Sequence, residues 1–382
     1  MRALPCLSRF GLLLPLAALL FLLACGQNQD APSEIRIGLI AGTSGERFRE
    51  GRQALEAARF AVDAVNRAGG VDVGGRKLPV KLVFKDSRFS PETAADMFRE
   101  LVTREGVVAV VGPIASREAL AVAPVAAALR VPVFTPVPAE ELVANDWAIH
   151  IVATDEAVGR AVARYLAAKG PVRAAVLAAS AEAHALAQAA AFAAEVEQSG
   201  GTLTGRLDYP GGTRDFGPAL EALLAGRPAV LFAPNPTKEA ILAANQARSQ
   251  GFSGVLAGGD AWQAQEVARL PAFAGAVFVD HWGPERVGAA SERFAREYAA
   301  AGQEPTELAA LTVDACRLLF AGLTHAGRVD PAALRQAVVD MPAMEGVTGV
   351  LDYHDNTRPL KGVFLVVVGP DGRLTRTEVA PE

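Results

Sequence analysis

Any chemistry this 382-residue chain performs must come from its nucleophiles, its metal-ligand types and its buried charges. Ser44, in Gly42-Thr-Ser-Gly45, is a serine in a glycine-flanked setting. No partner base is identifiable for it, and the segment reads better as a turn and helix cap. The five histidines, at 150, 184, 281, 325 and 354, have no metal-ligand spacing. Three cysteines, at 6, 25 and 316, cannot build a zinc cage or a redox pair of the usual spacing. Hydrolase elbows, Walker loops, dinucleotide fingerprints and His-Glu-x-x-His are all missing from the sequence. The residues therefore point away from catalysis and predict no cofactor and no metal. They leave binding chemistry. Ser116 opens a helix running to Leu129, and a helix start carrying a hydroxyl favours an anion. Asp260, in Gly258-Gly-Asp-Ala-Trp262, can meet a cation or cap a turn.

The elements that must position these residues alternate between strand and helix. Ile35-Arg-Ile-Gly-Leu-Ile40 is a short β-rich run. Arg47 to Ala68 then carries Leu55, Ala58, Val62 and Val65 on one helical face, and Gly69-Gly70 stops it. Leu78–Phe84 reads as a strand. Ser90-Pro91-Glu92 starts a helix with a cap, a first-turn proline and an acid at the positive end. Val107–Val111 and Val131–Phe134 are further strands, the former apolar throughout, as in a sheet buried on both faces. After Ala148–Val152 the pattern restarts: a helix over 156–169, a strand at Arg173–Leu177, and more of both through Val255–Ala257. Residues 291–339 are mostly helical, with Asp330-Pro331 as a cap-and-start pair, and two strands close the chain. Alternation predicts parallel doubly wound sheets, and the restart predicts two α/β lobes. At about 100–200 residues per domain, the length agrees.

The first 25 residues read as an address. Arg2 and Arg9 lead into an apolar run from Phe10 to Ala24, interrupted by Pro15 and shorter than the roughly 20 residues a membrane span needs. It ends in Leu22-Leu23-Ala24-Cys25, which resembles the bacterial lipobox, where cleavage precedes the cysteine and the thiol takes a diacylglycerol. The expectation is a signal peptide over 1–24, lipidation at Cys25 and a polar tether over 25–33. The folded part then sits on the periplasmic side of the cell envelope, anchored to the membrane. Cys316 reads as a small buried thiol. Formal net charge is −5 with no basic tract, which argues against a nucleic-acid partner.

Several segments, in order, resemble the type I periplasmic binding proteins, in particular the leucine/isoleucine/valine-binding branch of ABC transporter receptors. They are Ile35–Ile40, Ser44-Gly45 with Gly51, Asn66-Arg-Ala-Gly-Gly-Val71, Gly75–Leu78, Val111-Gly-Pro-Ile-Ala-Ser116, Pro132-Val-Phe-Thr-Pro136, Tyr209–Phe216, Gly258–Trp262 and Gly346-Val-Thr-Gly349. The resemblance implies two lobes joined by three crossovers, closing on a small ligand. Lobe one would be 34–151 plus 281–341, and lobe two 152–280 plus 342–382. It also implies the contacts. Ser116 would meet a ligand carboxylate, Val137 and Ala139 would line the loop after the fourth strand, and Asp260 would face a ligand ammonium. Glu50 falls on a commonly aromatic position, with Phe48 beside it. His184 and Asn235 fall where stacking tyrosines usually stand, and Trp262 either walls the cleft or packs into lobe two. Ala139 lacks a hydroxyl and Pro138 lacks an N–H, a departure from simple amino-acid receptors.

The function implied is a lipid-anchored, non-enzymatic solute receptor of an ABC importer, taking an amino-acid-like, amide or carboxylate ligand and delivering it to permease subunits. The alternative is an envelope lipoprotein of the same fold with a degenerate cleft, binding or regulating a partner protein.

Overall fold

Two mainly parallel sheets, each sandwiched between helices, organise the described residues. The computed structural model describes residues 32–45, 48–137, 145–284, 288–353 and 356–380. Cys25 and the whole leader lie outside the described residues, so lipidation there remains an expectation from the sequence.

The first sheet is built from β1 (Ile35–Ala41), β4 (Val80–Asp86), β5 (Ala109–Val111), β6 (Val133–Thr135) and β7 (Ala148–His150), all parallel, in the order β4-β1-β5-β6-β7. A hairpin of β2 (Val71–Val73) and β3 (Arg76–Leu78) precedes β4. Helix α1 (Phe48–Arg67) follows β1, α2 (Pro91–Thr103) follows β4, and α3 (Ser116–Leu129) follows β5. The expected start of α2 is present: the Ser90 hydroxyl accepts from Thr93 N, with Pro91 in the first turn.

The second sheet runs β16-β15-β12-β11-β10-β8-β9. Its parallel part is β8 (Arg173–Ala179), β9 (Thr202–Tyr209), β10 (Val230–Phe232), β11 (Val255–Ala257) and β12 (Val277–Asp280). Helices α4 (Asp155–Ala167), α5 (Ala183–Gln198), α6 (Gly217–Ala225), α7 (Thr237–Ser249) and the short α8 (Ala264–Val267) connect and cover it. The chain then returns to the first sheet with α9 (Ala289–Ala300), α10 (Glu307–Ala326), α11 (Pro331–Asp340) and the hairpin β13 (Met344–Gly346) and β14 (Gly349–Leu351). It ends in β15 (Val363–Val368) and β16 (Leu374–Val379), both antiparallel additions to the second sheet. Three passages therefore link the sheets: after β7, after β12, and between β14 and β15. The parallel, doubly wound α/β reading of the sequence matches this architecture.

One reading of the sequence differs from the structure. The stretch from 342 to 353 was expected with the second lobe, yet Val347, Leu351 and Tyr353 pack in the first-sheet core beside α10. The hairpin buries its apolar side against α10 before the chain leaves, so the third passage lies later than 341. Helix α10 is long and apolar enough by composition to cross a bilayer, but most of it is buried within the fold. It is the central helix of the first core, with thirteen buried residues including Cys316. Burial pushes the Cys316 thiol up to about 12, as expected for an inert core cysteine.

Candidate functional site

In an open parallel sheet, ligands bind beyond the strand carboxyl ends, where the strand order reverses direction. In the first sheet that reversal falls between β1 and β5, and in the second between β8 and β10. The loops that lie at these reversals therefore begin at Gly42, Gly112, Ser180 and Ala233.

The loop after β1 is held from two sides. Thr43 N donates to Asp86 Oδ1 at 2.9 Å, and Arg88 N donates to the same oxygen at 3.0 Å. Burial raises the Asp86 carboxyl, but these backbone donors outweigh it and hold it below its ordinary value. Helix α1 lies so close that a Cβ on Gly51 would sit 1.8 Å from Gly42 O. A glycine at 51 is what permits this approach. Phe48 begins α1 and is 40% exposed, while Glu50 is half-buried in the same turn.

The loop after β5 delivers Ser116 to the first position of α3, half-buried. The cap position belongs to Ala115, whose side chain offers no hydrogen bond. Ser116 is thus inside the helix start, where backbone N–H groups still lack intrahelical partners. Val137, half-buried, follows β6, and its backbone hydrogen-bonds the His150 ring. Ala139 lies outside the described residues.

In the second sheet, the expected residues divide by role. Asn235 is fully buried and committed to β8: its Oδ1 accepts from Ala179 N at 2.9 Å, and its Nδ2 donates to Leu177 O at 3.0 Å. It braces the ends of β8 and β10 where the resemblance had implied a stacking position. Asn235→Ala leaves a buried donor and a buried acceptor unmatched, and is expected to cost about 2 kcal/mol in urea unfolding. A loss within experimental error would show that the brace is dispensable. Trp262 is 3% exposed and lies in the second-sheet core, edge-on to Phe273, with Nε1 donating to Ala233 O at 3.1 Å. Of the two alternatives for this residue, packing into lobe two is the one observed.

Asp260 is the centre of a buried polar network. Its Oδ1 accepts from Gln188 Nε2 at 2.7 Å and its Oδ2 pairs with His281 Nε2 at 3.0 Å. Burial raises this carboxyl, yet the hydrogen bond and charge of His281, with help from His184 and Gln188, bring it down to about 2. The Gln188 Nε2 also donates to Asp155 Oδ1 at 2.7 Å. His184, in the first turn of α5, stands 3.7 Å from Glu182 through Nδ1. The structure thus brings His184 and Asp260 into one electrostatic neighbourhood. Gln188 and His281 were not anticipated. They lie 72 and 21 residues from Asp260 along the chain, and no local pattern marks either.

The network continues into the second passage. His281 N donates to Glu307 Oε1 at 2.8 Å. The Glu307 side chain hydrogen-bonds Asp280, which receives Arg376 Nε at 3.1 Å and a second guanidinium nitrogen at 2.9 Å. Among the described residues, no group of three or more histidine, cysteine, aspartate or glutamate side chains is arranged to hold a metal ion.

Comparison with known proteins agrees with this geometry. A family model described as "Periplasmic binding protein" matches residues 34–373. A leucine-binding protein from Thermotoga maritima superposes with a TM-score of 0.79 at 24% identity, over 91% of this chain and 99% of that one. A branched-chain amino acid transporter substrate-binding protein from Streptococcus pneumoniae, in complex with isoleucine, gives 0.79 and 24%, over 91% and 100%. An ABC transporter solute-binding protein from R. palustris, in complex with 4-hydroxybenzoate, gives 0.78 and 20%, over 91% and 97%. At these identities the likeness establishes the shared fold.

Proposed function

This chain belongs to the periplasmic binding protein family, and we propose that it is a lipid-anchored, extracytoplasmic solute receptor of an ABC importer. It takes a small amino-acid-like, amide or carboxylate solute between its lobes, closes by hinge motion, and presents the closed form to permease subunits. The observation that carries this reading is the pair of open parallel sheets linked by three passages. Loops at both reversal points then bound one interdomain cleft, the usual place for a small ligand.

The placement of polar groups supports the choice of solute. The α3 start with Ser116 suits the carboxylate of the solute. At Asp260 each oxygen already has one protein partner, so a cationic amine would share the carboxylate with Gln188 and His281 and gain less from it. A buried ammonium without such a partner is costly. Carboxylates and amides that lack a charged amine therefore lead the reading, with α-amino acids behind them. The similar structures hold both kinds, isoleucine in one and 4-hydroxybenzoate in another.

Thermal shift and calorimetry across leucine, isoleucine, 4-hydroxybenzoate, short aliphatic acids and their amides test this. At least one amine-free solute is expected to raise the melting temperature and to bind more tightly than its α-amino counterpart. Asp260→Asn is expected to weaken an amine-free solute by less than threefold. Silence across the panel from folded, ligand-free protein would reject the receptor reading.

The second reading, an envelope lipoprotein with a degenerate cleft that regulates a partner protein, is favoured by Asn235 and Trp262, whose side chains are consumed inside lobe two. A stable envelope partner recovered without permease subunits would select it.

A further inference from the structure

Both acids of α10 hold a passage between the lobes, Asp314 fully buried and Glu307 half-buried. Glu307, at the first position of the helix, meets the second passage through His281 N and Asp280. Asp314, two turns on, accepts from Val347 N, Thr348 N and the Thr348 hydroxyl, at the hairpin that leads into the third passage. Lys361, in the third passage, donates to Ile151 O at 2.6 Å in the first, and also to the Thr348 hydroxyl. One helix therefore anchors the second and third connections, and Lys361 ties the third to the first.

The two anchors differ in kind. Asp314 meets backbone N–H groups and a hydroxyl. Glu307 meets another carboxyl group, and two carboxylates within hydrogen-bond reach of each other need a proton between them. We propose that Glu307 is a positioning residue of the hinge: as a carboxylic acid it bridges Asp280 and the His281 amide and clasps α10 to the second passage, and as a carboxylate it releases that passage.

The charged groups acting on Glu307 support this assignment. From β12 comes Asp280, itself tied to Arg376 of β16. From the loop after β11 comes Asp260, tied to His281 and Gln188, with His184 nearby and Asp155 beyond Gln188. On the first-lobe side the neighbouring Leu308 packs with Ala41, Ala54 and Ile114, an apolar setting. Burial first, then the charge and hydrogen bond of Asp280, hold the Glu307 carboxyl well above its ordinary value. A neutral acid fits the geometry, because one oxygen accepts from His281 N while the hydroxyl is left to donate to Asp280. Loss of the proton puts a second anion against Asp280, with Asp260 close behind, and breaks the donation.

The proposal rests on reading the chain as a receptor whose lobes move about these passages. Its test needs no solute, so the two can fail separately. Hydrogen–deuterium exchange is followed on the full chain in detergent micelles from pD 5 to 9, with rates corrected for the intrinsic pH dependence of exchange. In wild type, protection of the segment 277–284 is expected to fall at least tenfold as pD rises. Segments around Ile151 and Lys361, anchored through Asp314, are expected to hold steady. Glu307→Gln keeps an N–H donor for Asp280 and a carbonyl for His281 N, and is expected to show less than a twofold change at 277–284. A flat wild-type profile at that segment overturns the proposal, whether or not the variant folds. So does a Glu307→Gln profile that falls as steeply as wild type, or a fall shared equally by all three passages.

Discussion

Asp314→Ala is expected to lower the unfolding free energy by about 4 kcal/mol. The carboxylate is fully buried and accepts three hydrogen bonds: Val347 N at 2.6 Å, Thr348 N at 2.8 Å and Thr348 Oγ1 at 2.6 Å. Alanine removes all three acceptor contacts and leaves the donors inside the protein, at about 1–3 kcal/mol for each group left unmatched. The hairpin cannot easily relax to recover them. A Cβ on Gly346 would already lie 2.7 Å from Asp314 Oδ2, so the turn is seated directly on the carboxylate. Asp314→Asn keeps one acceptor oxygen and is expected to cost about half as much. Urea unfolding at pH 7, followed by circular dichroism, reads both values. A loss below 1 kcal/mol for the alanine variant would remove Asp314 from its place as an anchor of the third passage.

The second large effect is an acid-side loss of stability through His150. This ring ends β7 and is 3% exposed, at the start of the first passage. Its backbone is held by Tyr353 OH on the carbonyl at 2.7 Å and by Thr357 O on the amide at 2.9 Å. Burial first, then the charge of Arg358, lower the imidazole from 6.5 to about 4, and a hydrogen bond with the Val137 backbone only partly offsets them. Because the folded value lies below the unfolded one, the unfolded chain takes up the proton first as pH falls. The contribution of His150 is therefore whole above about 6.5 and is lost as pH falls through 4. It amounts to about 3 kcal/mol.

Glu307 acts in the opposite sense, since its raised value makes the folded state gain on acidification. The reading is therefore the difference between variants. Between pH 7 and 4, wild type is expected to lose about 3 kcal/mol more than His150→Gln. Parallel curves for the two proteins would show that His150 is not the group that titrates.

Local signals were legible where they depend on neighbouring residues. The caps at Ser90 and Asp330 and the proline starts after them are both present, because a cap is satisfied within its own turn. The apolar run at Val107–Val111 supplied a central strand, Ala109–Val111, because a strand covered on both faces must be apolar throughout. The repeated strand–helix alternation carried the α/β class for the same reason.

The site was less legible. Ser116 and Asp260 were visible as a helix start and a Gly-Gly-Asp turn, but their surroundings were not. Whether Asp260 is free or already paired depends on Gln188 and His281, and these reach it only because α5 and the second passage converge on the end of β11. Asn235 and Trp262 show the same limit: an amide or an indole beside a strand end can face a cleft or serve the core, and only packing chooses. The sequence by itself determined the secondary elements, their parallel winding and the division into two lobes, because those follow from periodicity and capping within short windows. Only the tertiary structure decided which carboxyl groups are consumed, where the third passage leaves the first lobe, and that α10 holds the second and third connections. Those outcomes depend on contacts between residues tens to hundreds of positions apart, whose energies appear only once burial has removed the competing water.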